Sequence, residues 1–190
     1  MHRLSSSFVL GYHGCAQDIA EELLAGQAFK PSDNSYDWLG PGIYFWQANP
    51  KRALAFAKEK KARDKASWSE AVVGAVIDMG LCLDLTTATG VAELSSAHEA
   101  LADILKKSGG EYPINEADRP KLDCAVIRAL HDIRSNSSQP AIDTVLGIFF
   151  EGDPIYPSSY FYQKTHVQIC VCNPLQIKGV FRISDDGIAE

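Results

Sequence analysis

Apolar residues recur along this chain at two periods. Phe8 to Tyr12 forms an extended run, and from about Ala16 to Gly26 the residues Ile19, Leu23 and Leu24 fall on one face of a helix. Lys30 to Pro41 is rich in Ser, Asp, Asn, Gly and Pro and reads as a loop. Gly42 to Trp46 is a short apolar strand. A second helix is expected after Asn49-Pro50, because Asn caps helix N-termini and Pro is favoured at the first helical position. Its basic end, Lys58 to Lys65, is interrupted by Glu59 and Asp64 and reads as a solvated face. Val72 to Met79 is Val- and Ile-rich and predicts a buried strand, followed by a shorter extended piece at Leu81 to Leu85.

Helical spacing returns from about Ala92 to Lys107 and from about Arg119 to Arg134, with a polar loop from Ser108 to Asp118 between them. Three strands are expected at the end: Thr144 to Phe150, His166 to Cys172 and Ile177 to Ile183. Helices early and paired strands late favour an α+β fold over a doubly wound α/β fold. There is no repeat and no linker long enough to divide the chain, so residues 1–190 are expected to form one domain.

Composition narrows the function. A net charge of -6 and a pI near 5.4 argue against a strong non-specific nucleic-acid binder, which needs clustered Lys and Arg. No apolar run approaches the ~20 residues of a membrane helix. The N-terminus carries no signal-peptide pattern. A cytoplasmic protein with no membrane association is expected, although delivery into another cell by a separate machine would leave no mark in the sequence. The five cysteines are odd in number and include no Cys-x-x-Cys pair, so neither a disulfide framework nor a metal site is expected. Cys170 and Cys172 should share one side of a strand as small core residues. The Gly-x-Gly-x-x-Gly fingerprint and the P-loop are both absent.

Three pieces carry candidate chemistry. Gly11-Tyr12-His13-Gly14-Cys15 puts a His at a strand end between small residues, where the Gly14 backbone can approach a ligand closely. An imidazole satisfied in the core is the alternative. Trp38-Leu39-Gly40-Pro41-Gly42-Ile43-Tyr44-Phe45-Trp46 sets a fixed turn into an aromatic strand, suited either to stacking a flat ring or to core packing. His166-Val167-Gln168-Ile169-Cys170-Val171-Cys172-Asn173-Pro174-Leu175-Gln176-Ile177 starts a small-residue strand with a lone Gln.

In this order the three pieces resemble the ADP-ribosyltransferase superfamily, in its diphtheria-toxin and poly(ADP-ribose)-polymerase branch. His13-Gly14 matches the His before Gly that ends the family's first strand. Gly40-Pro41-Gly42-Ile43-Tyr44-Phe45 matches its Gly-x-Gly-Ile-Tyr-Phe strand. Gln168, running on into Asn173-Pro174-Leu175-Gln176-Ile177, stands where the family has a catalytic glutamate. The resemblance spans Phe8 to Ile183. It implies a split, mixed and largely antiparallel sheet around a central NAD cleft, with helices about it.

The resemblance also implies roles. His13 would hydrogen-bond an adenosine ribose hydroxyl, and the Gly14 backbone would hold the nicotinamide amide, with Gly42 close to the cofactor. Tyr44 would stack on the nicotinamide ring. Phe56, in Ala53-Leu54-Ala55-Phe56, would supply the second stack, displaced by about one position, while Ala53 lacks the family's serine hydroxyl. Nicotinamide departure leaves an oxocarbenium-like ribose, which a carboxylate stabilises. Gln168 keeps the hydrogen-bonding geometry but loses the charge and cannot act as a base, so Glu151 is the candidate to assist. The loop Gly152 to Thr165, with Tyr156, Tyr160, Phe161 and Tyr162, would help choose the acceptor.

The implied function is mono-ADP-ribosyl transfer from NAD, as co-substrate and without a metal, to a macromolecule. A protein acceptor is favoured and a nucleic acid is the alternative. A bacterial toxin or defence effector, with an antitoxin or immunity protein as partner, is the implied setting. Polymer extension is not expected, given Gln168. The rival readings are an NAD glycohydrolase and a non-catalytic NAD- or ADP-ribose-binding module.

Overall fold

The computed structural model describes residues 8–116 and 119–184. In chain order the main elements are β1 (Phe8–Ala16), α1 (Gln17–Leu24), β2 (Ile43–Gln47), α2 (Pro50–Arg63), β3 (Glu70–Asp78), β4 (Cys82–Asp84) and α3 (Ala88–Ser108). A two-residue ladder, β5 (Asn115–Glu116) with β6 (Arg119–Pro120), precedes α4 (Lys121–Asn136). Then come β7 (Thr144–Phe149), β8 (His166–Val171) and β9 (Ile177–Arg182). The class is α+β. Seven strands form one sheet in the order β4-β7-β8-β2-β1-β3-β9. Every neighbouring pair is antiparallel except β4 and β7, which run parallel.

Strand alternation sorts side chains onto two faces. On the outer face, α3 and α4 bury Leu83, Val145 and Cys170 beneath Ala97, Val126, Ile127 and Leu130. On the same face α2 places Ala53 and Phe56 on Trp46, Val72 and Tyr12. The other face gathers Ile43, Phe45, Ala75, Ile77, Ile169 and Val171 with Leu146 of β7 and Ile177 of β9. This inner cluster runs across the sheet from β7 to β9. α1 extends the inner core through Ala20 and Leu23 against Cys15 and Val73.

Local chemistry explains most element ends. Asn49 caps α2, its side chain accepting from the Arg52 N–H at 3.0 Å, with Pro50 at the first turn. β1 runs four residues beyond the expected end, through His13 and Gly14, because β3 pairs with it along its full length. α3 starts at Ala88 rather than near Ala92, capped by the Thr87 hydroxyl on the Gly90 N–H at 3.1 Å. Gly90 sits inside that helix because a Cβ there would lie 2.0 Å from the Asp84 carbonyl oxygen. No helix among the described residues is long and apolar enough to cross a membrane.

The ladder between β1 and β2 holds only at Gly11↔Gln47 and Tyr12↔Trp46, after which the strands part. The sheet thus has a seam beside His13 and Gly14. α2 closes on the outer side of this seam: a Cβ on Gly14 would meet the Ala53 carbonyl oxygen at 2.0 Å. Gly14→Ala must therefore push α2 away from β1 and is expected to cost about 1–3 kcal/mol. Gly179→Ala, where a Cβ meets nothing within 4 Å, is the control. Urea midpoints of the two variants against the parent check this; equal midpoints would mean that α2 does not close on Gly14.

Candidate functional site

The sequence-predicted residues come together on three adjacent strands, β1, β2 and β8, and the register decides how they face. Tyr12 pairs with Trp46, and Trp46 pairs with Gln168, so all three share the outer face with Tyr44. His13, one residue on from Tyr12, projects to the inner face, edge-on to Phe29 at 5.4 Å and beside Phe45 at 5.7 Å. The three side chains that the resemblance implies for one site thus lie on two faces of the sheet: His13 comes to the seam from the inner face, and Tyr44 and Gln168 lie on the outer face. The imidazole still bridges the parting strands, because its Nδ1 donates to the Tyr44 carbonyl at 2.9 Å. Burial lowers its pKa, leaving Nε2 of the neutral ring as an acceptor.

Tyr44 is anchored at its tip. Its hydroxyl donates to the Gly40 carbonyl at 2.7 Å and accepts from the Leu39 N–H at 3.1 Å. Burial pushes the phenol well above its ordinary range, so it stays a neutral donor. Gly42 lets β2 approach β8: a Cβ there would lie 2.5 Å from the Cys170 Sγ and 2.7 Å from the Val171 carbonyl oxygen. Gln168 is 9% exposed, and its Oε1 accepts from the Trp38 indole N–H at 2.6 Å. Trp38 lies over Gly147, where a Cβ would come within 2.7 Å of the indole ring.

Gly14 carries the seam's most specific feature. The Leu10 carbonyl accepts from the Ala48 N–H at 3.0 Å, so residues 10, 12 and 14 direct their peptide groups toward β2. That ladder ends at Tyr12. The N–H and C=O of Gly14, a buried residue, consequently point into the seam beyond the last registered pair.

Phe56 stacks on Trp46, with ring centroids 4.8 Å apart. Beside them lies a buried charge that sequence reasoning missed. Arg52 is 9% exposed, its guanidinium 5.8 Å from the Trp46 ring centroid. Its Nη2 donates to Glu151 at 2.6 Å and to Glu59 at 3.2 Å. Lys164 completes the group, 2.8 Å from Glu59 and 3.7 Å from Glu151. Glu151, the candidate to assist at Gln168, is thus ion-paired with Arg52, which holds it against α2. The signal in the sequence was the Arg52/Glu59 pair, seven apart and so on one helix face.

Four buried nitrogens in this region find no protein acceptor or donor: Trp46 Nε1, Arg52 Nε and Nη1, and His166 Nε2. His166 was also missed as a site residue. Its Nδ1 donates to the Lys164 carbonyl at 2.6 Å, its ring lies 6.1 Å from Trp46 and 5.7 Å from Phe149, and burial lowers its pKa. This cluster can hold acceptor oxygens through Arg52 and Trp46, and a donor through His166.

The loop expected to face an acceptor is exposed at Tyr156, Tyr160 and Phe161, with Tyr160 90% exposed. Tyr162 is half-buried against Phe150. Backbone bonds Ile155 N–H to Phe161 O and Lys164 N–H to Glu151 O give the loop a defined shape. Two open cavities of about 460 and 340 Å³ flank the sheet, and neither is lined by His13, Tyr44 or Gln168. Among the described residues, no group of three or more His, Cys, Asp or Glu is placed to hold a metal ion. No protein-family model, curated protein or solved structure matches this chain.

His13 and His166 both have pKa values lowered below 6.5, so the unfolded chain binds more protons than the native one once pH falls under that value. Their contribution to stability is complete above pH 6.5 and is lost as pH drops toward the native values. The urea midpoint should fall between about pH 7.5 and pH 5.5, and His166→Gln should shrink that fall. An unchanged midpoint across this interval would show that neither imidazole is held neutral.

Proposed function

We propose that this chain is an ADP-ribosyltransferase of the diphtheria-toxin and poly(ADP-ribose)-polymerase branch. In this reading it binds NAD at the β1–β2 seam, cleaves the nicotinamide–ribose bond and transfers one ADP-ribose to a macromolecule. The observation that carries the reading is the peptide edge of Gly14, which lies beyond the last registered β1–β2 pair. One extended residue there offers an N–H donor and a C=O acceptor side by side. A primary carboxamide presents the complementary acceptor and donor, and nicotinamide carries such a group. The split in the sheet supports the same reading, because it falls beside His13 and Gly14, where the resemblance calls for a cleft.

In this proposal Tyr44 and Phe56 flank the aromatic ring, His13 offers Nε2 to a ribose hydroxyl, and Gln168 positions the nicotinamide ribose. Gln168 supplies no charge, so the oxocarbenium-like transition state gains only dipolar stabilisation at that position. A protein acceptor is favoured over a nucleic acid, because the net charge is -6 and the neighbouring loop offers exposed aromatic and aliphatic side chains rather than a basic patch.

A second reading, a module that binds NAD or ADP-ribose without turnover, is favoured by one pair of facts. The Gln168 Oε1 is committed to Trp38, and the Glu151 carboxylate to Arg52. Incubation with NAD labelled in its adenylate half, with and without cell lysate, separates the readings. Label on protein is expected. Free ADP-ribose alone would make the chain a glycohydrolase, intact NAD with measurable binding would make it a module, and no binding would end the NAD reading. His13→Ala is expected to weaken NAD binding about tenfold, the loss of one hydrogen bond. Gln168→Ala should slow turnover more than it weakens binding; unchanged turnover would remove Gln168 from its assigned role.

A further inference from the structure

The groove of about 460 Å³ lies away from the seam, where α4 meets the loop before β2 and the end of β8. Ser32, Asp33, Gly42, Arg128, His131 and Cys172 line it. Arg128 and His131 are three apart on α4 and so present one helix face to the groove. The Cys172 Sγ lies 3.8 Å from the His131 Nε2.

Five thiols are free in this chain, and they divide sharply. Cys15, Cys124 and Cys170 are buried, and only Cys82 and Cys172 are partly exposed. Burial pushes the Cys82 thiol above its ordinary range. Cys172, expected as a small core residue, packs against the α3–α4 core and also meets an imidazole at the wall of an open groove.

We propose that Cys172 and His131 form a thiol-exchange site that takes low-molecular-weight disulfides entering this groove. The Cys172 proton leaves to His131 or to solvent. The thiolate then forms an S–S bond to one sulfur of the incoming disulfide, the original S–S bond breaks, and the second sulfur departs as a thiolate. The small disulfide is the oxidant, so one mixed disulfide forms per thiol released and the electrons balance.

The electrostatics around Cys172 agree with this assignment. The neighbouring Cys170 thiol and the adjacent His131 bring the Cys172 thiol below its ordinary range, against the opposing effects of burial and Asp143. Asp143 is itself engaged, accepting from the Leu81 N–H at 2.9 Å and the Asn173 side-chain amide at 2.7 Å. Arg128 and Asp33, also facing the groove, pair with each other and contribute little net charge. Cys170, the neighbouring thiol on β8, is buried and pushed upward, so it stays protonated and does not compete.

The site is independent of the NAD reading, and its test uses no NAD. The native protein is incubated with oxidised glutathione near pH 7 and followed by intact mass and peptide mapping. One adduct is expected, on Cys172, and Cys172→Ser should abolish it. His131→Gln should slow its formation about tenfold at that pH, as the thiolate fraction falls. In the native protein the reaction should reach half its maximal rate below the pH range of an ordinary thiol, set by the lowered thiol. A first adduct on Cys82 or another thiol, an unchanged rate in His131→Gln, or a half-maximal pH above about 8, the range of an ordinary thiol, would each overturn the proposal. Should His131→Gln not fold, the adduct map and pH profile of the native protein decide.

Discussion

The parting of β1 from β2 is the constraint on which the rest of the site depends. Two residue pairs hold the strands together, and beyond them a single side-chain bond, from His13 to the Tyr44 carbonyl, spans the gap. A sheet interior normally leaves no peptide group unpaired, because a buried amide without a partner costs about 1–3 kcal/mol. Parting the ladder beside Gly14 therefore leaves the peptide of a buried residue beyond the registered pairs, where a sheet would otherwise be closed. β3 makes this tolerable by pairing with all nine residues of β1 on its other edge.

The outer wall of the seam is set by α2, and α2 is set by a charge network. Arg52 joins the first turn of α2 to Glu151 beyond β7, and Lys164, just before β8, joins the same group. Two cations and two carboxylates offset one another, which lets a guanidinium sit buried over Trp46. The arrangement carries a chemical consequence. Glu151, the carboxylate that the resemblance would have assist at Gln168, is paired with Arg52, and Gln168 has its oxygen held by Trp38. The site as built is strong in donors and aromatic surface and poor in free negative charge.

Much of this was legible in the sequence. Each long strand and helix follows from hydrophobic period, Asn-Pro capping or β-branched content, and the α+β class follows from their order. His13 and Gly14 stood out as a His among small residues at a strand end, Tyr44 in an aromatic strand after a Gly-Pro-Gly turn, and Gln168 as a lone polar residue opening a strand. What was not legible came from distant pairing. The face on which His13 projects depends on the β1–β2 register, and the burial of Arg52 depends on α2 folding back on Trp46. The start of α3 was hidden because Thr87 to Gly90 has no apolar period; its helical state follows from a hydroxyl cap and close packing on Asp84. Cys172 read as core only, because its partner, His131, lies on a helix 41 residues away.

The central claim is that the peptide of Gly14, beyond the last registered β1–β2 pair, is the binding edge. Amide NMR of the protein titrated with nicotinamide alone tests it most directly, since this small ligand engages the carboxamide site without ribose or phosphate contacts. The account predicts that the Gly14 amide resonance shifts and that its hydrogen exchange slows as the ligand saturates. Saturable binding that leaves Gly14 unmoved, with the shifts elsewhere on the sheet, would contradict it.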